Sequence, residues 1–164
     1  MAQLAGEYIP STMQWVRDQV ETYERTGGRE AGTLRDTGIP VVIVAMRGAK
    51  SGTVRKIALM RVEHDGDYAL VASKGGAPDN PDWYYNLVAH PTEVTVQDGP
   101  EPFFVRVRLV DGAEYDEWWQ RSVGVFAPYA QYKEKTSRRI PLFVATRATT
   151  AHADGAAVKR APSA

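Results

Sequence analysis

The chain has 164 residues, of which 43% are hydrophobic, and this is enough for one domain with a core of its own. Its 20 Lys and Arg residues are balanced by 20 Asp and Glu residues, which argues against a general nucleic-acid-binding protein. It has no cysteine, so disulfides, thiol catalysis and cysteine-ligated metal sites are excluded.

The first predicted element is an amphipathic helix. Ser11 is its expected N-cap, and Gln14, three residues later, completes a capping box. Gly27 and Gly28 are expected to end the helix. Its apolar stripe consists of Met13, Val16, Val20 and Tyr23, at spacings of three and four.

Three strands are predicted next. Residues 41–46 form a continuous β-branched run, which is typical of a buried strand. A polar turn with two glycines leads to a second strand at residues 55–63. The dipeptide Asp65-Gly66 then predicts a hairpin to a third strand at residues 68–72.

The stretch at residues 73–81 is too rich in glycine and proline to be regular. Pro81 suits the first turn of a short helix that reaches about Ala89, with Asn80 as its cap. A strand is predicted at residues 93–97.

The last third of the chain predicts two strands with helices between them. Residues 103–110 alternate with the period of two that a half-buried strand shows. A helical pattern covers residues 113–126, and Pro128 can start a further turn. Residues 140–146 predict the final strand.

About six mostly antiparallel strands with a few short helices predict an α+β, mainly β fold, in the form of a small barrel closed by helices. We expect one domain over residues 1–147, without internal repeats. Residues 148–164 are small, polar and patternless, and are expected to be a disordered tail.

The turn after the first strand carries the first chemical signal. Four of the ten residues 47–56 are basic and none is acidic, in a chain whose overall charge is zero. Glycines and cations together make an anion site, although the spacing is not that of a phosphate-binding Walker loop. The alternative, with about equal weight, is a solvated hairpin turn.

A second signal is the sequence Ser73-Lys74-Gly75-Gly76, at a strand end and just before a capped helix, where free amides attract anions. An ordinary glycine-rich connection is the equal alternative. On the helix itself Trp83 is more readily explained as core, whereas Asn86 needs a hydrogen-bond partner if it is buried.

A third signal is the pair Tyr129 and Tyr132. Their hydroxyls could hydrogen-bond to a substrate oxygen that gains negative charge. Half-buried tyrosines with hydroxyls in water explain the pair equally well from the residues alone.

Together these motifs resemble the deazaflavin-dependent nitroreductase family of actinobacteria. The resemblance covers roughly residues 35–147, and the block from Ala72 to Pro91 is its most specific part. The matching stretches are Gly48-Ala49-Lys50-Ser51-Gly52-Thr53-Val54-Arg55, Ala72-Ser73-Lys74-Gly75-Gly76, Asn80-Pro81-Asp82-Trp83-Tyr84-Tyr85-Asn86-Leu87 with His90-Pro91, and Pro128-Tyr129-Ala130-Gln131-Tyr132 followed by Arg139-Ile140-Pro141.

The resemblance implies a split β-barrel that holds the deazaflavin coenzyme F420 and passes a hydride from its reduced form to a quinone, an activated enone or a nitroaromatic. It implies Tyr129, Tyr132 and Ser73 as catalytic residues. The implied cofactor-binding residues are Lys50, Ser51, Gly52, Arg55, Ser73, Lys74, Gly75, Gly76, Trp83 and Asn86, and the implied substrate-binding residues are Met60, Phe126, Tyr129 and Tyr132.

The chain also departs from the family pattern. Ala49 stands where the best-known member has a basic residue, and Arg47 can compensate from two positions away. Phe126 and Met60 replace tyrosines. Fewer hydroxyls near the acceptor argue against nitroimidazole reduction but leave binding of F420 untouched.

Two alternatives stay open. One is an FMN enzyme on the same kind of barrel, since a flavin phosphate also needs a basic patch. The other is a non-catalytic protein that stores or carries F420. We expect a small-molecule acceptor as the partner, with no nucleic acid, no metal and no membrane contact, a cytoplasmic location, and leave a homodimer open.

Overall fold

The computed structural model describes residues 2–35 and 37–148. In that part of the chain one antiparallel sheet is accompanied by four α-helices and a single 3-10 turn at Lys74–Gly76. The strands are β1 (Val41–Arg47), β2 (Val54–Met60), β3 (Glu63–His64), β4 (Asp67–Val71), β5 (Val94–Gln97), β6 (Pro102–Leu109) and β7 (Leu142–Arg147). The helices are α1 (Gln14–Thr26), α2 (Asp82–Ala89), α3 (Gly112–Val125) and α4 (Pro128–Lys135).

The seven strands lie in the order β2-β1-β5-β6-β7-β4-β3, and all their pairings are antiparallel. Strand β2, at one end of this order, also contacts β4 near the other end. The sheet is therefore curled on itself, and the predicted α+β, mainly β split barrel is confirmed.

Strand β1 is buried on both faces, as its unbroken apolar run predicts. Val42 and Val44 belong to the main core, which contains Leu70, Val96 and Phe143 from other strands. The alternate residues face the other way. There Ile43 packs with Val20 and Tyr23 of α1, and Ala45 packs with Leu4 of the N-terminal segment.

A second, aromatic-rich core holds α3 and α4 against β4 and β7. Trp118 and Trp119 of α3 share it with Tyr129 of α4 and with Val71 and Val144 of the strands. Each tryptophan is no more than 8% exposed, so this core supplies a large part of the buried apolar area.

The start of α1 differs from the prediction. The helix begins at Gln14 with Met13 as N-cap and without a side-chain cap. Ser11 lies outside the helix, and its Oγ accepts a hydrogen bond from the amide of Met13. Gly27 adopts the left-handed conformation that ends the helix, as predicted. None of the described helices has the length and apolar character needed to cross a bilayer.

Other boundaries also shift. The predicted strand at residues 55–63 is two strands, β2 and the two-residue β3. Pro81 is itself the N-cap of α2, so the prediction that Asn80 caps this helix is wrong. The predicted tail lies outside the described residues except for Ala148, whose amide donates to the carbonyl of Phe104.

A carboxylate ties together the ends of several strands. Asp98, which follows β5, accepts a hydrogen bond from the Tyr68 hydroxyl at 2.6 Å. It also accepts two from Nε of Arg61, which follows β2, at 2.8 and 3.0 Å. Burial first, and then the bond to Asp98, raises the pKa of Tyr68 to about 12. Since β4 carries Tyr68, this cluster closes the sheet at one end.

We expect Tyr68→Phe to lower the free energy of unfolding at pH 7 by about 1.5–3 kcal/mol, the range for a hydrogen bond to a charged group. The pKa of Tyr68 is raised from 10.0 to about 12 on folding, so its contribution is present below pH 10 and lost as the pH rises toward 12. Urea unfolding of both proteins across this pH range measures the difference.

The matched control is Tyr85→Phe, because the Tyr85 side chain is 51% exposed and its hydroxyl makes no hydrogen bond to a described residue. Equal stabilities of the two variants at pH 7 would contradict the assigned role of Asp98.

Candidate functional site

The turn between β1 and β2 is closed by its own hydrogen bonds. The amide of Gly48 donates to the carbonyl of Thr53 at 2.7 Å, and that of Gly52 donates to the carbonyl of Gly48 at 3.1 Å. Ser51 Oγ lies 2.7 Å from Thr53 Oγ1 and accepts from the Thr53 amide. Gly52 has a φ of +72°, which a side chain would disfavour. These hydrogen bonds fix the conformation of the turn.

Two of the four basic residues in this region are committed to the fold. Arg47 donates to Glu93 at 2.7 Å and to the carbonyls of Gly52 and Ala5 at 2.8 and 2.9 Å. Lys56 forms an ion pair with Glu24 at 2.8 Å. Each of the three guanidinium nitrogens of Arg47 therefore has a protein acceptor, and its compensation for Ala49 stays a prediction.

The other two basic residues have no such partners. Lys50 is exposed and Arg55 is half-buried, and neither forms a hydrogen bond or salt bridge with any residue that the structure describes. The ammonium group of Lys50 and the guanidinium group of Arg55 therefore have no counter-ion among the described residues. Both lie at or next to the turn, where they are available to an anionic ligand.

Helix α2 holds the turn in place through Asn86. The side-chain Oδ1 of Asn86 accepts a hydrogen bond of 2.9 Å from the amide of Ala49. On the same helix Leu87 is fully buried, and Trp83 packs on Phe143 with ring centroids 6.1 Å apart. The two predicted cofactor-binding residues of α2 thus have visible structural contacts, to the turn and to the main core.

The loop at residues 73–76, which we call the 73–76 loop, has an unusual backbone. Lys74, Gly75 and Gly76 have successive φ values of +46°, +63° and +81°. The Ser73 side chain is almost buried, and its hydroxyl forms no hydrogen bond with a described residue. Lys74 pairs with Asp79 at 3.1 Å on the surface and holds the pKa of that carboxyl below its ordinary value.

Gly76 presses the 73–76 loop against α4. A Cβ atom at this position would lie 2.9 Å from the carbonyl oxygen of Tyr132 and 3.1 Å from its Cα. By contrast, a Cβ atom at Gly75 would meet nothing within 4 Å. The predicted cofactor loop and the helix with the predicted catalytic tyrosines are therefore in direct backbone contact.

The four predicted substrate-binding residues lie in one aromatic cluster. Phe126 and Tyr129 belong to the second core, and Met60 and Tyr132 pack against it half-buried. The ring centroid of Tyr129 is 5.0 Å from that of Phe126 and 6.2 Å from that of Tyr132. Burial, with a smaller effect of Tyr132, raises the pKa of Tyr129 well above its ordinary value.

The predicted residues thus fall into two groups joined by contacts. The turn meets α2 at Asn86, the 73–76 loop leads into α2, and the same loop meets α4 at Gly76. Neither Lys50 nor Arg55 forms a hydrogen bond or a cation–π contact with Tyr129 or Tyr132. The candidate site thus has a cationic end with Lys50 and Arg55 and an aromatic end with Tyr129 and Tyr132.

One residue of this region carries no signal in the sequence. Arg138, between α4 and β7, is hydrogen-bonded to four acceptors on the segment after β4. These partners lie 58 to 66 residues away along the chain, so no local motif marks them.

A cavity of about 250 Å³ lies elsewhere, between the N-terminal segment and the outer side of β1 and β5. Its lining includes Tyr8, Ile43, Thr95 and the ion-paired Glu24 and Lys56. None of the predicted site residues lines it. We therefore place the candidate site at the turn, the 73–76 loop and α4.

Comparison with known proteins gives a consistent result. The family model for F420H(2)-dependent quinone reductases matches residues 15–147. The chain is 34% identical over 138 residues to an F420H(2)-dependent quinone reductase of Mycobacterium tuberculosis, which covers 82% of this chain and 91% of the relative.

Two solved structures share the fold. An F420-H2 dependent reductase (FDR-A) is 48% identical with a TM-score of 0.61, covering 65% of this chain and 93% of its own. A chain described as a domain-swapped dimer is 43% identical with a TM-score of 0.64, covering 82% of this chain and 99% of its own.

The contact of Gly76 with α4 gives a matched pair of substitutions. Gly75→Ala should cost about 1–2 kcal/mol of stability, because an L-residue is placed in the left-handed region. Gly76→Ala carries the same backbone cost and in addition drives Cβ into the Tyr132 backbone, so we expect it to be destabilised by roughly 1–3 kcal/mol more. Urea unfolding of both variants measures the difference, and equal losses would contradict the contact.

Proposed function

The chain belongs to the F420H(2)-dependent quinone reductase family, and we propose that the two unpaired cations near its β1–β2 turn anchor reduced F420 for the reduction of a small quinone. The chain is an F420-dependent oxidoreductase of the split-barrel type. The residues that hold the coenzyme and the class of acceptor are the proposal.

The residues present fit the coenzyme. F420 carries a phosphodiester and carboxylates together with a flat ring, so it needs cations beside an apolar surface. Lys50 and Arg55 are cations without a salt-bridge partner among the described residues, although Arg47 and Lys56 close by are both paired. This contrast is the single observation that carries the proposal.

Other groups of the site support binding of an anion. The Ser73 hydroxyl forms no hydrogen bond to a described residue and can donate to the ligand. Lys74 is paired only with Asp79 at the surface, where an ion pair contributes little and exchanges readily. Ser51 and Gly52 shape the turn, whereas Asn86 positions it through Ala49.

The coenzyme supplies the chemistry when bound, as a hydride donor. The chain's own part is to orient the acceptor and to stabilise the charge that develops on it. Tyr132 is half-buried and offers a hydroxyl. A tyrosine hydroxyl is protonated at neutral pH, and burial raises the pKa of Tyr129 further, so it acts as a hydrogen-bond donor to an oxygen that becomes negative and not as a base.

The acceptor is proposed to be a quinone because the matching family model is that of quinone reductases and the aromatic end of the site is largely apolar. Met60 and Phe126 have no hydroxyl, so the donors in this cluster are the two tyrosines. A quinone needs one hydrogen-bond donor at each reacting oxygen, whereas a nitro group spreads its charge over two. Activated enones and nitroaromatics are the acceptors to compare.

Family membership favours F420 over FMN and catalysis over simple storage. The relative described as a domain-swapped dimer supports a homodimer, which stays a prediction, as does the cytoplasmic location.

The anchoring residues can be tested by neutralisation. We expect Lys50→Gln and Arg55→Gln each to weaken F420 binding by about 1.5–3 kcal/mol, the range for hydrogen bonds to charged groups. Lys56→Gln is the matched control, because it removes the same charge from the same region but from a residue already paired with Glu24. Ligand fluorescence during titration with oxidised F420 measures affinity, and a parallel titration with FMN tests the alternative cofactor.

Thermal unfolding of each variant shows that the protein stays folded. If Lys50→Gln and Arg55→Gln bind F420 as tightly as the unchanged chain, the two residues are not the anchors. Tight binding of FMN instead of F420 would reassign the turn to a flavin phosphate.

The tyrosines are tested by turnover. We expect the double change Tyr129→Phe and Tyr132→Phe to lower kcat for a quinone by more than it weakens F420 binding, because the lost donors act on the acceptor in the transition state. Stopped-flow oxidation of reduced F420 measures kcat, and the fluorescence titration measures the affinity for F420. Unchanged turnover would mean that both tyrosines only pack the second core.

A further inference from the structure

The segment after β4 is held from outside by one guanidinium group. Arg138 reaches back from the connection between α4 and β7, and it is half-buried. Nε donates to the carbonyl of Ala77 at 2.9 Å, and Nη2 donates to that of Ser73 at 2.8 Å. Nη1 donates to Asn80 Oδ1 at 2.8 Å and to the carbonyl of Ala72 at 3.3 Å.

Three of these acceptors are backbone carbonyls, and two of them belong to buried residues, where water cannot easily replace the donor. Ala72 is fully buried, and Ser73 is 8% exposed. A buried carbonyl without a donor is destabilising, so the loss of Arg138 would drive this backbone toward solvent. A lysine cannot replace the planar fork, because its ammonium is a compact group with tetrahedral donors.

The 73–76 loop needs this support because its own conformation is unfavourable. Lys74 has a φ of +46°, in a region where a non-glycine residue is strained. Two hydrogen bonds close the loop internally, from Gly76 to the Ser73 carbonyl and from Ala77 to the Lys74 carbonyl. Such a backbone persists only where its surroundings fix it, and Arg138 binds it on both sides of the strained residues.

We infer that Arg138 is a positioning residue for the coenzyme site: it holds the 73–76 loop in the conformation that binds the ligand, without touching the ligand. The inference rests on the proposed function, since it takes that loop as part of the F420 site. The donors of Arg138 are directed at protein acceptors, so its effect on binding passes through Ser73 and its neighbours.

The experiment compares Arg138→Gln, Arg138→Lys and the control Arg139→Gln. Arg139 is the adjacent arginine, and it lies over the ring of Tyr115 at 4.0 Å, away from the loop. In fluorescence titration we expect both Arg138 variants to bind oxidised F420 roughly tenfold more weakly, and Arg139→Gln to change affinity by less than about twofold. If Arg138→Lys binds like the unchanged chain, Arg138 acts through its charge and the inference is wrong.

A second readout needs no ligand. Amide hydrogen exchange at Gly76 and Ala77 should become faster in both Arg138 variants, because their hydrogen bonds depend on the loop conformation. Exchange at Val44 and Val96 in the main core should stay unchanged, which excludes a general loss of stability. Weaker binding without faster exchange at the loop would overturn the inference.

This readout also separates the two proposals. If the unchanged chain fails to bind F420, the proposed function fails, whereas faster exchange in the variants would still show that Arg138 fixes the loop.

Asn80→Ala provides a milder variant in case Arg138→Gln fails to fold. It removes one acceptor of Arg138, and we expect a change in loop exchange and F420 affinity in the same direction, but smaller. In a double-mutant cycle Asn80→Ala should add little to Arg138→Lys, because both changes act on one contact. Fully additive effects would show that the two residues act independently and would overturn the inference.

Discussion

Burial of β1 on both faces is the constraint on which the rest of the structure depends. A strand with side chains directed alternately into two apolar environments needs cover on each side. The curled sheet and α2 cover one side, and α1 with the N-terminal segment covers the other. Because β1 pairs with β2 along its whole length and with β5 from Ile43 to Met46, the turn that follows it starts from a well-supported strand. The position of the proposed anchoring residues therefore depends on that packing.

The basic run after β1 shows how one stretch of sequence can serve two purposes. Arg47 and Lys56 are paired with acidic residues that lie far away in the chain, Glu93 and Glu24. Arg47 connects the sheet to the N-terminal segment through Ala5, and Lys56 connects it to α1 through Glu24. Lys50 and Arg55 have no such partners among the described residues, and they are the cations that we propose for the ligand. Composition alone reports the positive charge of the run, but only the tertiary structure separates its structural members from its available ones.

Local patterns were sufficient for most of the fold. The β-branched run of β1, the alternation in β6, the glycine after α1 and Pro128 at the start of α4 each specify an element through neighbouring residues. One of the errors occurred where a side chain has a distant partner. Asn80 was expected to cap α2 because it precedes a proline, but its oxygen is taken by Arg138.

The same reason limits what the sequence tells about the candidate site. Motifs marked the turn, the 73–76 loop and the tyrosine pair, and the structure links them through Asn86 and Gly76. Arg138 could not be found in this way, since every acceptor it binds is at least 58 residues away. The cluster of Asp98 with Tyr68 and Arg61 is hidden for the same reason.

The bare backbone contact between Gly76 and Tyr132 has a mechanical consequence. A Cβ atom at Gly76 would meet the Tyr132 backbone and Cβ of Lys135, so the contact includes no flexible side-chain end that could absorb a displacement. If α4 contacts the acceptor and the 73–76 loop contacts the coenzyme, as proposed, a shift of α4 on binding the acceptor displaces the loop as well. Thermodynamic linkage makes this effect reciprocal: the factor by which the acceptor changes the affinity for the coenzyme equals the factor by which the coenzyme changes the affinity for the acceptor. On the proposed assignment, the affinity of this chain for the acceptor and its affinity for the coenzyme are coupled.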